Sequence, residues 1–275
     1  MTTDTAPTPF RQRLDRLTTA RGALCVGIDP HPQLLAAWGL RDDADGLERF
    51  ARGLVDALGE RVAVFKPQVA FFESYGAAGL AVLERVLADI RDAGALSIAD
   101  AKRGDIGSTM AGYARAWLSR RSPLRADAMT LSPFLGVESL RPALDEAAAT
   151  GRGVYVLART SNPEGHGVQL SADADGRPVS QRIIDEVQAE NARTGLDHVG
   201  LVIGATHRDL GCDPSAVTGS ILVPGIGAQG GTMEGVRQAF GPAVARVLPS
   251  VSRDVLSAGP DPAALAGRVA QLLAV

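Results

Sequence analysis

Cysteine, histidine and aromatic side chains are scarce in this chain of 275 residues, which has two Cys, four His and only 4% Phe, Tyr and Trp. Two cysteines cannot build the disulfide framework on which small secreted domains rely. Cys25, in a predicted strand, and Cys212, in a predicted loop, are therefore expected to be reduced thiols. Neither has a metal-ligating neighbour at a useful spacing, and no C-x-x-C or H-E-x-x-H occurs. His31, His166, His198 and His207 also lack metal-like spacing and read as solvated or structural groups, so no metal site is expected. No apolar run is long enough to span a bilayer, so no membrane partner is expected. The first residues, Met1-Thr2-Thr3-Asp4-Thr5-Ala6-Pro7, have neither the basic nor the apolar stretch of a secretory signal, so a cytoplasmic location is expected. An excess of one charge is missing too: 28 Lys and Arg against 31 Asp and Glu leave a formal net charge of −3. That balance argues against nucleic acid as a partner.

Apolar residues, in contrast, make up 45% of the chain. They recur in short, β-branched-rich runs at 23–28, 62–65, 95–99, 128–131, 154–158, 199–203, 221–223 and 245–248. Longer amphipathic segments separate them. Alternating strand and helix patterns predict an α/β fold with a parallel sheet. Eight such units in about 250 residues match a (β/α)8 TIM barrel, here a single domain over 1–275. A doubly wound sheet is the alternative. In the segment 80–90, Val82, Val86 and Ile90 share one helical face. Asp261-Pro262 reads as an N-cap followed by proline at the first helical position, with Leu265, Val269 and Leu272 at helical spacing behind it. Phe10, Leu14 and Leu17 form a stripe ahead of the first strand, so an N-terminal helix would close the barrel's bottom. The polar, turn-rich stretch 171–178 reads as a loop insertion in the longest interval.

Polar residues gather at the C-terminal ends of these runs, where barrels build their active sites. After the third run comes Asp100-Ala101-Lys102-Arg103-Gly104-Asp105-Ile106-Gly107-Ser108-Thr109. In an extended segment Asp100 and Lys102 point the same way, about 7 Å apart along the strand. Asp105 lies past Gly104, where the chain turns. Charges at the end of a buried strand are costly unless they pair. Such an array can be a structural ion-pair network, or it can hold a proton donor ready for chemistry. Lys66 ends the second run in Phe65-Lys66-Pro67-Gln68, and either caps an ion pair or touches ligand. Asp29, in Gly27-Ile28-Asp29-Pro30, reads as a turn former or a ligand contact. Ser161 and Asn162 follow the fifth run. The seventh leads into Pro224-Gly225-Ile226-Gly227-Ala228-Gln229-Gly230-Gly231, and the eighth into Ser250-Val251-Ser252-Arg253. Glycines leave backbone N–H groups free to approach an anion. Barrels commonly bind phosphate in the loops after strands seven and eight, and Arg253 can grip phosphate bidentately. A phosphate-bearing small molecule is the expected substrate.

Asp100-Ala101-Lys102-Arg103-Gly104-Asp105-Ile106 resembles the signature of the orotidine 5'-phosphate decarboxylases. Phe65-Lys66-Pro67-Gln68, Leu131-Ser132-Pro133-Phe134-Leu135-Gly136, Arg159-Thr160-Ser161-Asn162-Pro163 and the glycine loop from Pro224 resemble that family's longer bacterial branch, found in mycobacteria among others. The resemblance spans Asp29 to Arg253. It implies cofactor-free, metal-free decarboxylation of orotidine 5'-monophosphate in pyrimidine biosynthesis. By that resemblance Asp29 binds the ribose 3'-hydroxyl, and Lys66 bridges ribose and Asp100. Asp100 sits against the substrate carboxylate, and Lys102 protonates carbon 6. Asp105 crosses a homodimer interface into the partner's site, with Thr109 near the 2'-hydroxyl. Ser161 contacts the pyrimidine. Gln229 and Arg253 hold the phosphate, flanked by Pro224 and Ser252, and the loop 225–232 closes over it. Two rivals remain. One resembles the related sugar-phosphate enzymes, 3-keto-L-gulonate 6-phosphate decarboxylase and hexulose phosphate synthase. These share Asp-x-Lys-x-x-Asp but use magnesium with an acidic residue on strand two, where a lysine such as Lys66 would repel the metal. The other is a catalytically silent phosphosugar-binding protein, which the intact Lys66, Asp100, Lys102 and Asp105 disfavour.

Overall fold

Each apolar run becomes a strand whose residues are almost all buried. The computed structural model describes residues 7–274; positions 1–6, part of the stretch that lacks a secretory signal, and 275 lie outside the described residues. The strands are β1 (Cys25–Ile28), β2 (Val64–Pro67), β3 (Leu96–Arg103), β4 (Ala128–Leu131), β5 (Gly153–Arg159), β6 (Val199–Ile203), β7 (Ile221–Pro224) and β8 (Val247–Val251). They pair in sequence order, all parallel, and β1 closes on β8 with Cys25 opposite Ser250, so the expected (β/α)8 barrel is the fold. A doubly wound sheet is thereby excluded. Among the described residues no helix is long and apolar enough to cross a membrane.

The helices follow the patterns read from the sequence. Helix Gly76–Asp92 buries Val82, Val86 and Ile90. Asp261 caps helix Pro262–Leu273 by accepting from the Ala263 and Ala264 N–H groups, and Leu265 and Val269 face inward. Helix Phe10–Arg21 lays Phe10 and Leu14 over the N-terminal ends of the strands, against Cys25, Val64, Leu96, Ala128 and Tyr155. The Phe10 and Tyr155 rings meet edge to face at 6.0 Å. A Cβ on Gly153 would lie 2.4 Å from Phe10 Cδ1, so only glycine lets the ring seat. Burial of one such phenylalanine contributes about 1.5–3 kcal/mol. The bottom of the barrel is thus plugged with apolar side chains.

Three details depart from expectation. The eighth run, expected at 245–248, lies at Val247–Val251, because 241–246 forms a 3₁₀ turn and Pro249 sits inside the strand opposite Val223. Proline ordinarily argues against a strand interior, so the pattern ends too early when read from sequence. The third run continues beyond residue 99 through its charged residues to Arg103. Between β6 and β7, residues 204–220 contain no helix; helix Val179–Thr194 precedes β6 instead.

Candidate active site

With one end plugged, the barrel opens at the C-terminal ends of its strands, where a cavity of about 550 Å³ lies. Asp29, Lys66, Asp100 and Lys102 line it from β1, β2 and β3. Ser161, Pro224, Gln229, Ser252 and Arg253 line it from the loops after β5, β7 and β8. Asp105 and Thr109 do not line this cavity: Asp105 is half-buried beyond the end of β3, and Thr109 is exposed in the first turn of helix Gly107–Leu118.

At the core of the site one carboxylate is shared by two ammonium groups. Lys66 Nζ donates to Asp100 Oδ2 at 2.7 Å and Lys102 Nζ to Oδ1 at 2.6 Å. Lys66 and Asp100 are buried, whereas the Lys102 side chain is 45% exposed and free to meet a ligand. Burial pushes the Asp100 carboxyl up, but the charges of Lys66 and Lys102 and their hydrogen bonds outweigh it. The net result lies well below the usual carboxylate range. For Lys66, burial favours the neutral amine; Asp100 and then Asp29 overcome it and hold the ammonium above its ordinary range. The buried half of the array is therefore an ion pair of Lys66 and Asp100, and Lys102 donates to the same carboxylate.

Its geometry is not that of a regular strand. Lys102 has φ +46°, in the left-handed region, and the β3–β4 register shifts between Ala99 and Arg103. Thr130, 1% exposed in the middle of β4, fixes this distortion. Its hydroxyl accepts from the Lys102 N–H at 2.9 Å and donates to Asp100 Oδ1 at 2.9 Å. In the sequence Thr130 is marked only as a single hydroxyl inside an otherwise apolar run. His31, read as solvated or structural, in fact lines the cavity, its ring 4.3 Å from that of Phe71.

The opposite wall suits an anion. Gly225, Gly227 and Gly230 adopt φ of +97°, +75° and +89°. Their loop closes on itself through Gly227 N–H to Gly231 O at 2.9 Å and Gly231 N–H to Gly225 O at 3.0 Å. Ser161 Oγ donates to Gln229 Oε1 at 2.9 Å, which ties the loop after β5 to the glycine loop. Arg253 opens the short helix after β8 and lines the same cavity. A Cβ on Gly27 would lie 1.9 Å from Ser252 Oγ, so this glycine in β1 makes room for Ser252. Asp29 Oδ1 is buried without a hydrogen-bond partner, an acceptor left for a hydroxyl donor.

Comparison with known proteins agrees with this geometry. The chain is similar to orotidine 5'-phosphate decarboxylase of Salinispora arenicola, 56% identical over 266 residues and covering 96% of each chain. It is 53% identical over 258 residues to the enzyme of that name from Streptomyces coelicolor, covering 94% of this chain and 93% of the other. A crystal structure of a Streptomyces avermitilis protein superposes with a TM-score of 0.95 at 52% identity, covering 100% of this chain and 96% of that one. Leishmania donovani OMP decarboxylase matches with a TM-score of 0.78 at 30% identity, over 97% and 98% of the two chains. A family model spans residues 22–269, and the chain belongs to the orotidine 5'-phosphate decarboxylase / HUMPS family.

Proposed function

We propose that this protein converts orotidine 5'-monophosphate to uridine 5'-monophosphate and CO2 without a cofactor, as a step of pyrimidine biosynthesis. The observation that carries this reading is the buried Asp100 carboxylate clamped between Lys66 and Lys102 at 2.7 and 2.6 Å. It stands across a nucleotide-sized cavity from a glycine loop and Arg253. Arg253 and Gln229, with the loop N–H groups, hold the phosphate. Asp29, with its unpaired oxygen, takes the ribose 3'-hydroxyl, and Ser161 contacts the pyrimidine. Pro224 and Ser252 complete the walls.

The substrate carboxylate then lies beside Asp100, where two negative charges repel. The bond from carbon 6 to the carboxylate breaks, CO2 leaves, and the electron pair stays on carbon 6. Lys102 stabilises that charge as it develops and transfers a proton from Nζ to carbon 6. Solvent returns the proton to Lys102. Lys66 bridges Asp100 and the ribose, and keeps Asp100 ionised. A lysine at this place, bonded to the motif's aspartate, favours the nucleotide reaction over the magnesium-dependent sugar-phosphate reactions.

The working unit is a homodimer of single-domain subunits in the cytoplasm, where Cys25 and Cys212 stay as free thiols. Asp105 and Thr109, which do not line their own cavity, serve the partner's. Ile106 beside them is 62% exposed, and Phe134 and Leu135 are 81% and 54% exposed. The loop bearing these two joins the same turn through Ser132 N–H to Arg103 O at 2.8 Å. Exposed apolar side chains on two adjoining loops suit a second copy of the chain. The test is an ultraviolet assay of orotidine 5'-monophosphate turnover with a chelator present. Turnover is expected; its absence, or dependence on added magnesium, overturns the reading.

A further inference from the structure

Arg159, at the end of β5, is 3% exposed and takes part in none of the ion pairs among the described residues. A buried guanidinium without a counter-charge is costly, and a neutral side chain would serve a purely structural role better. The partners of its two terminal nitrogens are uncharged and come from separate segments, the short helix His166–Gln169 and the connection 204–220. Nη1 donates to Gln169 Oε1 at 3.2 Å and Nη2 faces His207 Nδ1 at 3.4 Å. Both partners in turn grip Thr160. Gln169 Oε1 accepts from the Thr160 N–H at 3.0 Å and Gln169 Nε2 donates to Thr160 Oγ1 at 2.8 Å. His207 Nε2 lies 2.8 Å from Thr160 O. This pattern needs a neutral imidazole with its proton on Nε2. Burial, reinforced by Arg159, moves His207 toward that form despite the opposing bond to Thr160. The next residue is Ser161, whose carbonyl accepts from Thr206 Oγ1 at 3.0 Å and whose hydroxyl reaches Gln229.

We infer that Arg159, Gln169 and His207 form a positioning unit that holds the Thr160–Ser161 turn, so that Ser161 and Gln229 meet the substrate in one fixed arrangement. The inference rests on the nucleotide reading above. It gives a role to two connecting stretches of the barrel. The interval between β5 and β6 contributes Gln169, from the short helix His166–Gln169, and the helix-free connection 204–220 contributes His207. Only a planar fork with donors on two sides can join both to the strand end, which is what arginine supplies and lysine does not. None of the three touches the reacting atoms; they act through Ser161.

The experiment is a double-mutant cycle on the full-length protein, with orotidine 5'-monophosphate as substrate and thermal unfolding as the check on folding. Arg159→Met is expected to raise KM about tenfold, the loss of one or two hydrogen bonds' worth of positioning, with kcat changed far less. In the Ser161→Ala background the same substitution is expected to raise KM by less than about twofold, because the group it positions is gone. Equal effects in both backgrounds, or an unchanged KM in folded Arg159→Met, overturn the proposal. If Arg159→Met does not fold, Gln169→Leu, on a surface segment, replaces it in the cycle with the same expectations. Wild-type turnover separates the two levels: a wild-type enzyme that turns over the nucleotide while the cycle is additive sinks only this inference. A wild type that does not turn it over sinks both.

Discussion

Lys102 Nζ lies 2.6 Å from Asp100 Oδ1, although the two residues are separated by one position on a strand that would regularly space them by about 7 Å. The contact is made with Lys102 in the left-handed region and the β3–β4 register shifted beside it. A non-glycine residue held there costs of order 1–3 kcal/mol and persists only where its surroundings over-determine it. The Thr130 hydroxyl, bonded both to the Lys102 amide and to the Asp100 carboxylate, is the group that does so.

Thr130→Val keeps the shape of this side chain and removes both bonds. A buried amide and one carboxylate site lose a partner, and each such loss costs about 1–3 kcal/mol. We expect kcat to fall roughly tenfold or more, with a smaller change in KM, and Thr130→Ser to restore most of the rate. Steady-state kinetics on the three proteins decide it. A Thr130→Val enzyme with wild-type kcat would show that Lys102 needs no such support.

Lys102→Ala tests the chemical step itself. The side chain is 45% exposed, so its loss leaves no large cavity and the variant is expected to fold. Removing a general acid that also stabilises developing charge lowers kcat by roughly 10³-fold or more. Asp100 keeps Lys66 as its partner, so the triad's buried half survives. Near-normal turnover in a folded variant would remove Lys102 from the role of proton donor.

The triad also predicts a pH window for stability. Asp100 holds its proton less tightly folded than unfolded, so its contribution is present above its ordinary value of 3.8 and is lost as pH falls from there. Lys66 holds its proton more tightly folded than unfolded. Its contribution is present below its ordinary value of 10.5 and is lost as pH rises beyond it. Thermal unfolding of wild type and Asp100→Asn across the acid range isolates the first effect. The wild type should lose melting temperature more steeply below about pH 4 than the variant. Parallel curves would mean that Asp100 is not held ionised by its lysines.

Much of this site was legible because its residues carry charge at places where the chain is otherwise apolar. Lys66 and Asp100 follow strand-like runs, and their positions at barrel strand ends give those charges a purpose. Arg253 and the glycines after β7 were legible for the same reason. What stayed hidden depends on contacts between segments distant in sequence. Thr130 looks like an ordinary strand threonine until β3 bulges toward it. Arg159 sits in a motif but has meaning only when residues 166–169 and 204–220 fold over it. Pro249 concealed the true end of β8, because a proline within a barrel strand runs against the usual pattern.

Arg253→Ala removes one charged donor from the end of the cavity where the proposed function seats the phosphate. A hydrogen bond to a charged group contributes about 1.5–3 kcal/mol, so KM should rise roughly tenfold to a hundredfold with kcat less affected. Orotidine without its phosphate should be a far poorer substrate than the nucleotide for wild type, and that preference should shrink in the variant. A variant that keeps the full preference for the nucleotide would place the phosphate elsewhere.

The shared site of the proposed dimer can be tested by complementation. Asp105 and Thr109 lie outside the cavity of their own subunit, so each site would use one subunit's Lys102 and the other's Asp105. Lys102→Ala and Asp105→Ala should each be nearly inactive alone. After subunit exchange, random pairing makes about half the dimers mixed, and each mixed dimer holds one site with both residues intact and one with neither. Activity should therefore recover toward roughly a quarter of the wild-type sites. A matching change on the apolar patch, Phe134→Asp, should weaken the dimer on sizing, since Phe134 is 81% exposed in the isolated subunit and has no folding role to lose. If exchange is shown by mass and no activity returns, Asp105 acts within its own subunit or not at all.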